Sequence, residues 1–129
     1  AKGVSVAIEH RPGISEVLLD ADRLHQVLLN LFLNGIEAME RGGVLTVRVD
    51  KAADARQLEI RVSDTGCGIR PEDLAHIFEP YFTTKLNGTG LGLAIAHNII
   101  EAMDGQITVQ STLGAGTTFT LRLPSRLQP

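Results

Sequence analysis

Val4, Val6 and Ile8 alternate with small or polar residues in "GVSVAIEH", the period of two that a half-buried strand presents to a core. A short strand, "EVLLD", is expected after the turn "RPG". From Asp20 the period lengthens. Leu24, Val27, Leu28, Leu31, Phe32 and Gly35 fall on one side of a helix that Asp20 caps and that runs to "ERGG". Alternation returns in "VLTVRVD" and "RQLEIRVSD", two segments joined by a polar turn and read as an antiparallel hairpin. Pro71 opens a short helix around "PEDLAHIF". Glu79 to Thr89 has little apolar periodicity and reads as a loop, expected to be mobile until a ligand orders it. "LGLAIAHNIIEAM" makes a second long helix, and "GQITVQST", a turn "LGAG" and "TTFTLRLP" make a second hairpin. Helices separated by paired strands predict an α/β class, a two-layer sandwich with one mixed sheet and its helices on one face.

Three polar features interrupt this pattern. The inward positions Leu58, Ile60 and Val62 continue in step to Asp64, which either aims a carboxylate into the core or ends the strand and opens a turn. Phe119, Leu121 and Leu123 share a face with Thr117, so a hydroxyl is also directed inward, and an acceptor and a hydroxyl together can read a base edge. Asn30 and Asn34 lie one turn apart on the long helix, beside its apolar stripe and on the side of Arg23. A solvated helix margin would explain them, but amide oxygens are also hard ligands suited to Mg²⁺, which keeps waters and shares its sphere with substrate phosphates. Gly88, Gly90 and Gly92 then precede a helix whose unpaired N–H groups favour an anion, and they let backbone approach a phosphate closely. A flexible lid would explain the glycines equally well. No Lys-Ser or Lys-Thr pair follows them, so this is not a P-loop, and "DTGCG" lacks the spacing of a dinucleotide fingerprint.

Composition narrows the setting. The chain has 129 residues, 43% hydrophobic and 21% charged, and reads as one domain over 1–129 with ordinary globular character. A net charge of -3 argues against a general nucleic-acid binder, and no apolar run is long enough for a membrane span, so neither nucleic acid nor direct membrane contact is expected. Cys67 is the one cysteine, which leaves no intramolecular disulfide and makes a cytoplasmic setting the default. With no initiator Met and no leader, the chain is read as a piece of something longer.

"NLFLNGIEAM", "DTGCGI", "FEPYFTTK" and "GTGLGL", in that order and spacing, closely resemble the boxes of the catalytic and ATP-binding domain of two-component sensor histidine kinases, within the GHKL superfamily. The resemblance implies a five-stranded mixed sheet backed by three helices, the Bergerat-type ATP-binding fold, with ATP and Mg²⁺ as cofactors. Asn34 is the implied magnesium ligand and Asn30 its polar companion. Asp64 is the implied acceptor for the adenine amino group, with Gly66 and Gly68 making room for the base and Thr117 near it. Phe78 and Phe82 match the aromatic box beside the ATP lid, Thr84 and Lys85 lie in it, and Gly88, Gly90, Leu91 and Gly92 match the segment by the phosphates.

Two positions depart from the pattern. Gly35 stands where the family most often has Ala, and Glu37 where many members have a lysine, so neutralising charge is assigned to Lys85 with Mg²⁺ and to Arg23. Cys67 is read as an incidental turn residue, and His76 and His97 as a surface and a helix-flank residue. Hydrolytic members of the superfamily carry a glutamate one turn before the magnesium asparagine. Asn30 stands there instead, and a neutral amide is no general base. The implied activity is therefore transfer of the γ-phosphate to a histidine on a separate, upstream phosphoacceptor and dimerisation domain, with a response regulator as the eventual recipient and a homodimeric parent. The four histidines, His10, His25, His76 and His97, lack the acidic residue and proline that follow the phosphoacceptor. An anti-sigma-factor-type serine kinase and a non-transferring ATP sensor are the alternatives.

Overall fold

A computed structural model describes residues 3–10, 17–18, 21–51, 57–80, 82, 91–124 and 126–127; for 4–10, 17–18, 21, 51 and 126–127 it describes the backbone only. The elements follow the sequence pattern, with the two-residue strand β7 in addition: β1 (Val4–His10), β2 (Val17–Leu18), α1 (Ala21–Ala38), β3 (Gly43–Lys51), β4 (Gln57–Asp64), α2 (Pro71–Leu74), α3 (Gly92–Ala102), β5 (Gln106–Thr112), β6 (Gly116–Pro124) and β7 (Arg126–Leu127). Asp20, the expected cap of α1, and the turn between β3 and β4 lie outside the described residues.

One five-stranded sheet has the order β1-β3-β4-β6-β5, and β2 pairs with β7 in a separate two-stranded ribbon. Both expected hairpins form, β3 with β4 and β5 with β6, and the two are joined by antiparallel β4–β6 pairing. β1 pairs in parallel with β3, which makes the sheet mixed. A parallel neighbour needs a crossover, and α1 lies within the one that links these strands.

Register stacks the inward residues in rows. Val47, Val62, Phe119 and Val109 form one, and Val49, Ile60, Leu121 and Ile107 the next. With Leu58 and Leu123 they make the sheet's half of the core, and Val27 and Leu31 of α1 and Ala96 and Ile100 of α3 make the other half. The opposite face of the sheet is charged. Glu59 sits there between Arg61 (Nε to Oε1, 2.9 Å) and Arg122 (Nε to Oε2, 3.3 Å).

The segment expected to be a short helix departs from that reading in its length. Regular helix covers only Pro71–Leu74, and the chain then continues through bonds of three-residue spacing, from His76 N–H to Asp73 O, Glu79 N–H to His76 O and Phe82 N–H to Glu79 O. This tighter winding sends Ile77 and Phe78 into the core while Asp73, itself buried, is held by Arg70 Nε at 2.9 Å. The bond to Asp73 raises the Arg70 pKa above its ordinary value.

Helix α1 is apolar on more than its core side. Leu29, Leu33 and Ile36, at a spacing of four and three, are 43%, 49% and 43% exposed. A shallow groove of about 300 Å³ adjoins them, lined by Leu24, His25, Leu28, Leu29 and Phe32, and it contains none of the expected site residues.

Candidate functional site

The next row of the sheet breaks the apolar sequence. Register places Leu45, Asp64, Thr117 and Ser111 side by side across β3, β4, β6 and β5. Asp64 is 8% exposed and Thr117 4%. The inward reading of Asp64 holds, and of the alternative only the turn does. The strand runs through it, so the carboxylate is carried inward, and its Oδ1 accepts the Gly66 N–H at 2.9 Å, so the same group opens the turn. Buried polar groups are costly unless bonded, and no buried side-chain N or O atom among the described residues lacks a partner.

Two glycines let other backbone come close to Asp64. Gly116 has φ of +136°, and a Cβ there would collide with the Asp64 carbonyl oxygen. Gly35 brings α1 down on the row from above. A Cβ at that position would lie 3.0 Å from Leu45 Cδ1 and 3.4 Å from Asp64 Cβ, tight contacts that a small swing of the leucine tip relieves. Alanine is thus a mild alternative there, as the resemblance implies.

The loop after Asp64 is pinned on three sides. Cys67 N–H donates to Ala38 O at the end of α1 (3.1 Å), Gly114 N–H in the β5–β6 turn donates to Cys67 O (2.7 Å), and Ile69 N–H donates to Ser111 Oγ (2.8 Å). Thr65 Oγ1 adds a fourth tie by accepting the Val44 N–H at 3.1 Å. Gly66 and Gly68 sit inside this clasp, against Ala38 and Thr112 respectively, and Cys67 is exposed at its tip.

Asn30 and Asn34 are half-buried on α1. Asn30 Nδ2 donates to the carbonyl of Gly92, the first residue of α3, at 3.0 Å, and its Oδ1 accepts from Gln26 Nε2 at 3.0 Å. The amide therefore ties the long helix to the start of the second one, 62 positions away in sequence. Gly92 itself faces open space, with nothing within 4 Å of where a Cβ would be, and Leu91 is half-buried beside it.

The aromatic pair anchors the two ends of a short turn. Phe78 stacks on the His97 ring at 5.1 Å and meets Phe119 edge-on at 6.2 Å, and Phe82 lies 5.8 Å from the His76 ring. Both histidines thus pack against aromatic rings, and both contact a carboxylate, Glu79 at 2.6 Å for His76 and Glu101 at 3.1 Å for His97. Thr84, Lys85, Gly88 and Gly90 lie outside the described residues, as does most of the loop from Glu79 to Thr89.

Among the described residues no three His, Cys, Asp or Glu side chains are grouped to hold a metal ion. A neutral amide such as Asn34 fits a hard cation that a phosphate and waters mainly coordinate, rather than a self-sufficient protein cage. Ser111 is the residue that sequence reasoning missed. Ile107 and Val109 point inward on β5, and the same alternation that singled out Asp64 leads to Ser111.

Comparison with known proteins agrees with this fold. Residues 19–127 match the family described as histidine kinase-, DNA gyrase B- and HSP90-like ATPases. The sensor histidine kinase ZraS of Klebsiella oxytoca is 44% identical over 124 residues, 96% of this chain and 27% of that protein. ZraS of Escherichia coli K12 is 50% identical over 111 residues, 86% of this chain and 23% of that protein. Among solved structures, full-length ShkA in complex with AMPPNP superposes with a TM-score of 0.85 at 35% identity, covering 98% of this chain and 27% of that one. The nucleotide-free catalytic domain of the histidine kinase ThkA gives 0.81 at 33% identity, covering 94% and 78%. The chain belongs to the family of histidine kinase-, DNA gyrase B- and HSP90-like ATPases. It spans about a quarter of the length of these ZraS relatives, 27% and 23%. None of the described helices is long and apolar enough to cross a membrane.

Proposed function

We propose that this domain binds Mg-ATP and donates the γ-phosphate to a histidine of a separate phosphoacceptor and dimerisation domain, as the catalytic part of a two-component sensor kinase. The observation that carries the reading is the buried Asp64–Thr117 pair at the end of an otherwise apolar face. An anionic acceptor in a buried, pinned site suits the exocyclic amino group of adenine. The match to sensor histidine kinases and to a structure holding AMPPNP supports the same choice.

In this reading Asp64 and Thr117 take the base, and Gly66 and Gly68 shape the floor beneath it. Asn34 would hold Mg²⁺ through its amide oxygen, and the ion would neutralise phosphate charge. Phe78, Phe82, Thr84, Lys85, Gly88, Gly90, Leu91 and Gly92 bound the nucleotide's remaining side. Phosphoryl transfer demands chiefly positioning and charge stabilisation, so the nucleotide half of the reaction can be supplied without a nucleophile in this chain. Asn30 separates transfer from hydrolysis. It is an amide where a hydrolytic relative would carry a carboxylate, and both ends of it are engaged within the protein.

The test is to incubate the isolated chain with Mg-ATP, alone and with an added histidine-bearing helical hairpin from the parent kinase at high concentration, since a missing tether removes an effective concentration of up to about millimolar. Negligible turnover alone and a phosphorylated hairpin stable to alkali but not to acid are expected, with Asn34→Ala abolishing the product. Brisk hydrolysis by the chain alone would favour an ATPase, and label on a serine of a partner an anti-sigma-type kinase.

A further inference from the structure

Ser111 Oγ has three partners and one proton. It accepts the Ile69 N–H at 2.8 Å, and it lies 3.0 Å from the Gly116 carbonyl oxygen and 2.9 Å from Thr117 Oγ1. A carbonyl oxygen can only accept, so the contact with Gly116 uses the single Ser111 proton. The contact with Thr117 is then a hydrogen bond only if Thr117 donates. The reverse assignment would set the Ser111 and Gly116 oxygens lone pair to lone pair at 3.0 Å. Thr117 is 4% exposed, so the packed strands around it hold the hydroxyl in this arrangement.

We infer that Ser111 is a positioning residue for base recognition. By drawing the Thr117 proton toward β5 it leaves Thr117 presenting only lone pairs beside the Asp64 carboxylate. The inference rests on the reading of this row as the adenine site and adds a rule to it: along the row the base meets two acceptors, one charged and one neutral. An exocyclic amino group has two N–H bonds to offer and matches such a pair. Ser111 touches no ligand itself and acts through the orientation of its neighbour.

The experiment compares dissociation constants for ATP and for purine riboside triphosphate, which lacks only the 6-amino group, by calorimetry with Mg²⁺ present. The ratio of the purine riboside triphosphate constant to the ATP constant isolates what the amino group contributes. Ser111→Ala is expected to lower the ratio about three- to fivefold, the worth of one neutral hydrogen bond, because the Thr117 hydroxyl is no longer fixed. Ser111→Thr, which keeps the hydroxyl, is expected to keep the ratio. Thr117→Val should lower it similarly, and adding Ser111→Ala to Thr117→Val should lower it no further. Equal weakening of both nucleotides by Ser111→Ala would reduce Ser111 to a structural brace and overturn the inference. If Ser111→Ala does not fold, an unchanged ratio in Thr117→Val overturns it instead. A wild-type ratio near one, or a ratio unmoved by Asp64→Asn, would reject the adenine site itself, an outcome separate from any result at Ser111.

Discussion

Alanine at Gly116 and alanine at Gly92 are expected to act in opposite directions. At Gly116 the backbone is left-handed and the new Cβ would collide with the carbonyl of Asp64, so β4 and β6 would have to separate where the base is read. A loss of about 3 kcal/mol or more in urea unfolding, together with loss of ATP binding, is the expected outcome. At Gly92 there is room, and alanine is the better helix former, so stability should be unchanged or rise by up to ~1 kcal/mol. A loss of Mg-ATP affinity in that stable variant would then report on how closely the nucleotide approaches the start of α3. At this scale much of the site was legible in the sequence. Strict alternation carried Asp64 and Thr117 inward, and both are buried. Ser111 was equally within reach of that rule, but a serine at a strand end is common enough that only its three bonds distinguish it. The tie between Asn30 and the Gly92 carbonyl was not legible, because it depends on how two helices distant in sequence pack together.

Elements were read well where a period had one interpretation. The two hairpins and both long helices formed as expected, since alternation and the 3.6-residue period each select a backbone. Direction was less legible. Alternation does not encode whether β1 runs parallel or antiparallel to its neighbour, whereas the 3.6-residue stripe on α1 named the covered face. Leu31, on that stripe, is 1% exposed, and Leu29, Leu33 and Ile36, off it, face outward. Leu31→Ala should therefore cost roughly 2–5 kcal/mol in chemical denaturation. Glutamine at Leu29, Leu33 or Ile36 should each stay within about 0.5 kcal/mol of the parent. Equal costs on the two faces would contradict the orientation of α1.

The whole molecule brings its nucleotide-binding candidates onto the interior of the sheet. β4 is flanked by β3 and β6, and β6 by β4 and β5, so neither Asp64 nor Thr117 sits on an edge. Ligand held there should stabilise the fold globally. ATP at a hundred times its dissociation constant is expected to add about 2.7 kcal/mol to the unfolding free energy, a gain that Asp64→Asn removes. Amide exchange should slow along β4 and β6 as well as around the ligand, and protection confined to surface turns would argue that these strands are not the binding floor. The pinned loop of residues 65–69 extends the consequence to time. Backbone fastened to α1, to the β5–β6 turn and to Ser111 opens only when those hydrogen bonds break. On the proposed reading of this loop as the floor of the nucleotide site, release is expected with the floor still closed, so that residence time follows the breaking of the nucleotide's own contacts rather than breathing of the protein beneath it.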